Sequence, residues 1–177
     1  MNTTALTPNA LAFLALCNEY CVAAENAREA ERDEFVATML RLLPRLYIAA
    51  SDLRAADNDG IEEPADAYLT PVLEEDYYDS VRTGIEELMG SDDTYLEVFE
   101  EDMKYSDTPI AASVSEGLTD IFQSLYNLLE NIKSAPDHVT LSALVAAKED
   151  FESYWSRILC NVMRALNNIR YSPDTEI

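Results

Sequence analysis

The sequence predicts an all-α protein, a single-domain helical bundle of about five to six helices over residues 1–177. The stretch from Thr140 to Tyr171 contains no Gly or Pro. Its apolar residues recur every three or four positions, as on one face of a helix. Residues 113–133 have the same period, and the short turn Ser134–Asp137 separates the two stretches. We therefore expect a long C-terminal helix packed antiparallel on the preceding one, with Trp155 buried between them.

Composition supports helices, because the chain has only four glycines among 177 residues and is rich in Ala, Leu and Glu. Its three cysteines, Cys17, Cys21 and Cys160, lie on apolar helical faces and are expected to be buried thiols. An odd count does not make a disulfide framework. The apolar run before Cys17 has no preceding Lys or Arg and is too short to span a membrane. We expect a cytoplasmic protein that does not bind membranes.

Local signals place several helix ends. Thr7 should cap the first helix, with Pro8 at its first position. Pro44 falls inside the second apolar stripe, so we expect a kink or break near Met39 to Leu43. Ser113, with Glu116 three residues later, should cap the helix that follows.

A third helix is expected directly after Thr70-Pro71, with Glu74 and Glu75 in its first turn, where the helix dipole favours anions. Gly90 should end it. The stretch from Ser91 to Pro109 alternates apolar and acidic residues and suits a short helix or an irregular cover.

The negative charge is concentrated in one region. The formal net charge is −22, and Asp52 to Asp107 hold nineteen Asp or Glu against three Lys or Arg. Such a field repels nucleic-acid phosphates and anionic lipids, so we expect neither as a partner, and it attracts basic proteins.

Several aromatic residues lie inside this acidic region, and tyrosine beside carboxylates is typical of protein-recognition surfaces. We therefore predict a non-enzymatic binding or adaptor protein that presents an acidic, tyrosine-rich surface to a basic protein partner. A solvated acidic surface without a partner is the alternative of equal weight. The candidate binding residues are Glu74, Glu75, Tyr78, Tyr95, Glu100 and Glu101.

No catalytic, metal or cofactor site is predicted. The loop Asp57–Gly60 resembles part of a calcium loop, but Ala55 stands where the first ligand of an EF-hand should be. The alternative function is a metal-dependent helical-bundle phosphohydrolase with inward-facing carboxylates. Glu97-x-x-Glu100 matches half of a magnesium motif of that class. Glu116 is followed three residues on by Thr119, so the second half fails.

Three motifs are similar to an all-helical bacterial family described only as a domain of unknown function. They are Leu43-Pro44-x-Leu46-Tyr47, Ser113-x-Ser115-x-x-Leu118-x-Asp120-Ile121, and Phe151-x-x-Tyr154-Trp155 with Ala165-Leu166-x-x-Ile169. The resemblance spans most of the chain. It implies a helical bundle and no particular activity.

Overall fold

The computed structural model describes residues 6–54, 68–97 and 110–172, and about 80% of them are helical. The all-α fold is confirmed, with six α-helices in this part of the chain. A π-helical turn, Phe151–Trp155, joins the last two into one continuous rod. The described residues also contain a two-stranded antiparallel ribbon and two short 3-10 helices, Ala27–Glu29 and Gly90–Asp93. The elements are α1 (Pro8–Glu25), α2 (Arg32–Ser51), α3 (Glu75–Met89), β1 (Thr94–Leu96), β2 (Ala111–Ser113), α4 (Val114–Ile132), α5 (Asp137–Asp150) and α6 (Ser156–Tyr171).

Three helix ends are confirmed as the sequence predicts them. The Thr7 side chain accepts a hydrogen bond from the Ala10 amide at the start of α1. Ser113 does the same for the Glu116 amide at the start of α4. Gly90 ends α3 with a positive φ of 58°, a conformation that favours glycine.

The predicted start of α3 is wrong by several residues. Thr70 and Pro71 are extended, Glu74 is the N-cap and Glu75 the first helical residue. The reason is a long-range one: side chains of α4 bind the backbone of residues 70–73 and hold it away from helical geometry.

The break that was one of the two outcomes expected near Met39 to Leu43 does not occur: α2 runs from Arg32 to Ser51 with Pro44 inside it. Proline removes one backbone hydrogen bond and crowds the preceding turn. Eight buried side chains hold α2 against its neighbours on both sides of that position and stabilise the helical path. They are Phe35, Val36, Met39, Leu42, Leu43, Leu46, Ala49 and Ala50.

The ribbon departs from the short helix or irregular cover that was expected for the stretch from Ser91 to Pro109. A 3-10 turn over Gly90–Asp93 leads into β1, whose residues pair with β2 from Thr94↔Ser113 to Leu96↔Ala111. Residues 98–109 lie outside the described part of the chain, as does the Asp57–Gly60 loop.

One hydrophobic core draws side chains from all six helices, and α4 contacts α1, α3, α5 and α6 within it. Cys17 and Cys21 are buried there as expected, whereas Cys160 is exposed, which corrects its prediction. Cys160 lies on α6 immediately after the buried Leu159, on the side that faces away from the core. No helix in the described residues is long and apolar enough to cross a membrane.

Trp155 is 1% exposed and packs edge-on against Phe151, with ring centroids 4.6 Å apart. The π turn that carries it contacts both α2 and α4. The predicted antiparallel pairing of the C-terminal rod with α4 is confirmed.

We expect Trp155→Ala to lower the free energy of unfolding by about 3–5 kcal/mol, the usual loss when a large aromatic leaves a core. Urea denaturation followed by circular dichroism measures it. Tyr171, 71% exposed on α6, is the control, and Tyr171→Ala should change stability by less than about 0.5 kcal/mol. Equal effects of the two substitutions would contradict the assigned core.

Two helical glycines should respond in opposite directions to alanine. A Cβ at Gly117 would lie 2.3 Å from Val162 Cγ2, a buried and branched neighbour on α6. The three atoms nearest to a Cβ at Gly84 all belong to the long Arg28 side chain, the closest at 3.0 Å. Gly117→Ala should therefore destabilise by about 1–3 kcal/mol through overpacking. Gly84→Ala should be neutral or stabilise by up to about 1 kcal/mol through helix propensity. Thermal unfolding of both variants measures the two effects. Destabilisation of both variants, or stabilisation of both, would contradict the prediction.

Candidate functional site: a carboxylate and tyrosine groove on α4

One face of α4 is polar although the helix is central to the core. Its residues recur at spacings of three and four, which places them along one side of the helix. The apolar residues Leu118, Ile121, Phe122 and Leu125 are buried on the other side. We call the polar side the polar row: Asp120, Gln123, Ser124, Asn127 and Asn131.

Two amides of the polar row bind an extended segment, Thr70–Leu73, which we call the strap. Asn131 pairs with both backbone groups of Thr70: Oδ1 accepts from its N–H at 3.0 Å, and Nδ2 donates to its carbonyl at 2.8 Å. Asn127 Oδ1 accepts from the N–H groups of Val72 and Leu73, each at 3.0 Å. The side chains of α4 thus act as a template for extended backbone.

Asp120, at the other end of the polar row, joins three elements. The Tyr78 hydroxyl, from α3, donates to Asp120 Oδ1 at 2.6 Å. The Tyr154 hydroxyl, from the π turn, lies near the same carboxylate. Burial raises the pKa of Asp120, and the Tyr78 and Tyr154 hydroxyls oppose the rise in part.

The pKa values of the two phenols are raised as well. Burial raises the pKa of Tyr78, and its hydrogen bond to Asp120 raises it further, because ionising Tyr78 would place two negative charges together. Burial also raises the pKa of Tyr154. Both phenols therefore stay protonated at neutral pH, and Tyr78 donates its proton to the hydrogen bond with Asp120.

A cavity of about 380 Å³ opens beside this junction, between α4 and the C-terminal rod. Burial raises the pKa of Asp150 at its edge, and a hydrogen bond from Ser124 opposes the rise in part. Among the described residues, none of the ion pairs includes Asp120, Glu149 or Asp150. The cavity is lined by Tyr68, Leu69, Gln123, Ser124, Asn127, Ala146, Glu149, Asp150 and Ser153.

The structure does not gather the predicted binding residues in one place. Glu74, Glu75 and Tyr78 lie at the start of α3, next to the strap and the polar row. Tyr95 lies in β1, beyond the far end of α3. After Tyr78, α3 continues for eleven residues, a rise of about 17 Å at 1.5 Å per residue, before the 3-10 turn that leads to Tyr95. Glu100 and Glu101 lie outside the described residues.

Tyr95 has a separate environment. The Arg164 guanidinium lies 5.9 Å from its ring centroid, and Arg164 Nη2 donates to the Leu96 carbonyl at 2.6 Å. Burial raises the pKa of Tyr95, with the nearby Glu97 adding to the rise. These contacts tie β1 to α6.

A hydrolase would require carboxylates from different helices to converge on metal ions. In residues 6–54, 68–97 and 110–172, no three His, Cys, Asp or Glu side chains lie close enough to hold one. Glu116 and Asp120 both come from α4. Glu97 is nearly buried beside the ribbon, and its motif partner Glu100 is outside the described residues. The hydrolase alternative gains no support from this geometry.

The sequence prediction missed Asp150, Tyr154 and the amides of the polar row as site residues. Asp120 appeared in the sequence analysis as a residue of a family motif, without a role in the site. The available signal was the uninterrupted polar side of α4, where amides and hydroxyls stand in place of the usual Glu and Lys of a solvated face.

Asp120→Asn should flatten the pH dependence of stability. A folded-state pKa above the unfolded value of about 3.9 means that the folded protein binds the proton more tightly. Stability from this group is gained as pH falls through the folded pKa and lost as pH rises through it. When the pH is lowered from 7 to 4, the free energy of unfolding should therefore increase less in Asp120→Asn than in the wild type. Asp79→Asn, an exposed site on α3, makes the same charge change and should keep the wild-type slope in urea titrations.

The crystal structure of protein BF1032 from Bacteroides fragilis is similar, with a TM-score of 0.76 and 26% sequence identity over 96% of this chain and 97% of that one. None of the curated proteins matches the chain. The family model described as Domain of unknown function (DUF5063) matches residues 4–172. The chain therefore belongs to the DUF5063 family.

Proposed function

We propose that this protein is a non-enzymatic binding or adaptor module whose acidic, tyrosine-rich face binds a basic segment of a partner protein. The face comprises the start of α3, the polar row and the adjoining end of α5. It combines exposed carboxylates at Glu74, Glu75 and Glu149 with the aromatic rings of Tyr68 and Tyr78. Carboxylates supply Coulombic attraction to Lys and Arg, and tyrosine supplies rigid contact area.

The observation that carries the proposal is an open cavity with Asp150 in its wall and with Asp120 one turn of α4 before its lining residue Ser124. Both carboxyls have raised pKa values because they are partly removed from water. None of the ion pairs in the described residues offsets them. A cation from a partner would supply the missing charge and lower the free energy of the pair.

Further features of the chain support the setting that we propose, the cytoplasm of a bacterium. Cys17, Cys21 and Cys160 are all free thiols, which suits a reducing compartment. The similar crystal structure is of a bacterial protein. The net charge of −22 opposes nucleic acids and anionic membranes as partners, because both are polyanions.

Matched charge variants test the proposal. The face variant combines Glu74→Gln, Glu75→Gln and Glu149→Gln. The control combines Glu19→Gln, Glu29→Gln and Glu34→Gln, which are equally exposed and change the net charge equally. The wild-type protein and both variants are immobilised and incubated with the native cytoplasm at low salt. The bound proteins are identified, and each is then titrated individually.

We expect to capture a basic protein. Its rate of association should fall about tenfold or more with the face variant, and little with the control variant. The rate should also fall steeply with salt, since exposed charges are screened over about 8–10 Å at physiological ionic strength. Equal loss in both variants would mean that overall charge alone drives capture. Absence of any basic partner would leave the acidic face as a solvated surface.

A further inference from the structure

We infer that the groove on α4 binds an extended peptide segment, and that one arginine side chain of this segment enters the cavity beside Asp150. The inference rests on the proposed function and specifies the chemistry of its partner. It is carried by two independent features, the amide positions of the polar row and the cavity between α4 and the C-terminal rod.

The first feature is a mode of recognition already used within this chain. Gln123, Asn127 and Asn131 recur every four residues, so their amides form one line along α4. Asn127 and Asn131 bind the backbone of the strap through four hydrogen bonds. The third amide, Gln123, makes no hydrogen bond to another described residue and lines the cavity instead. An extended segment entering the cavity would meet the amide chemistry that holds the strap.

The second feature is the composition of the cavity wall. Its charged groups are Glu149 and Asp150, and no Lys or Arg among the described residues lines it. Hydroxyl oxygens of Ser124 and Ser153 add acceptors, so the wall suits a cation with several hydrogen-bond donors. A volume of about 380 Å³ is in the range of ligand-binding pockets and accommodates a long side chain with part of its backbone.

Arginine fits this wall better than lysine. The guanidinium group has five N–H donors in a rigid plane, whereas an ammonium is a compact point charge with three. Adjacent carboxylates with flanking hydroxyls can accept several of those five donors together. Tyr68, 69% exposed at the rim, offers an aromatic face on which a planar guanidinium stacks.

Short acetylated and amidated peptides test the inference by calorimetry on the full-length protein. The parent peptide has a central arginine, flanking serines and glycines, and outer lysines for the general attraction to an acidic face. Two variants replace the arginine by lysine or by its uncharged isostere citrulline. A third keeps the arginine and carries N-methyl groups on the two neighbouring backbone amides.

We expect the citrulline peptide to bind about tenfold to a hundredfold more weakly than the parent, because hydrogen bonds to charged groups are among the strongest. The lysine peptide should lose about tenfold, and the N-methylated one about fivefold. Gln123→Ala should weaken binding of the parent peptide and leave binding of the N-methylated peptide unchanged. The N-methyl groups already remove the backbone donors that the Gln123 side chain would bind. Asn18→Ala, an exposed amide on α1, is the control and should change neither.

Asp150→Asn should reduce the preference for arginine over citrulline, and Glu149→Gln, at an exposed position, repeats the test if the first variant loses its helical circular dichroism. Equal affinities for the arginine and lysine peptides, unaltered by these substitutions, would overturn the inference. The proposed function would then stand only if binding of all basic peptides still fell in the Glu74, Glu75 and Glu149 variant. No binding of any peptide would refute both.

Discussion

The packing of four helices around α4 is the constraint on which the structure depends. α1, α3, α5 and α6 all contact it, and at Gly117 the approach of α6 leaves no room for a Cβ. On the α1 side, the buried Tyr20 hydroxyl donates to the Leu118 carbonyl at 2.7 Å. Because so much of α4 is enclosed, its free side is narrow. The polar row occupies that side, which is why the helix that organises the core also forms the groove.

Features determined by a few neighbouring residues could be predicted from the sequence. Thr7 and Ser113 cap helices because a hydroxyl reaches an amide three residues on. Gly90 ends α3 because its backbone adopts a positive φ. Burial of Trp155 followed from apolar periodicity, which is also local. The helical fold is the sum of such local preferences.

Features determined by distant residues could not be predicted from the sequence. The start of α3 depends on Asn127 and Asn131, which lie more than fifty positions later. β1 forms through pairing with β2, across an intervening segment of the chain. Asp120 acquires its role only when Tyr78 and Tyr154 are brought to it by two other elements. The acidic region looked continuous along the sequence, whereas α3 divides Tyr78 from Tyr95 in space.

The π turn has a consequence for how this helix tolerates changes in chain length. In the turn, the Ser156 amide bonds to the Phe151 carbonyl, five residues back, so the turn holds about one residue more than an α-helical turn. Deleting one residue there would let the segment close as an ordinary α-helical turn without opening a loop. Because the π turn holds its extra residue locally, α5 and α6 would keep nearly the same phase. The extra residue therefore extends the segment that carries Tyr154 and Trp155 while the cavity-lining half of the rod keeps its orientation relative to the half that fills the core.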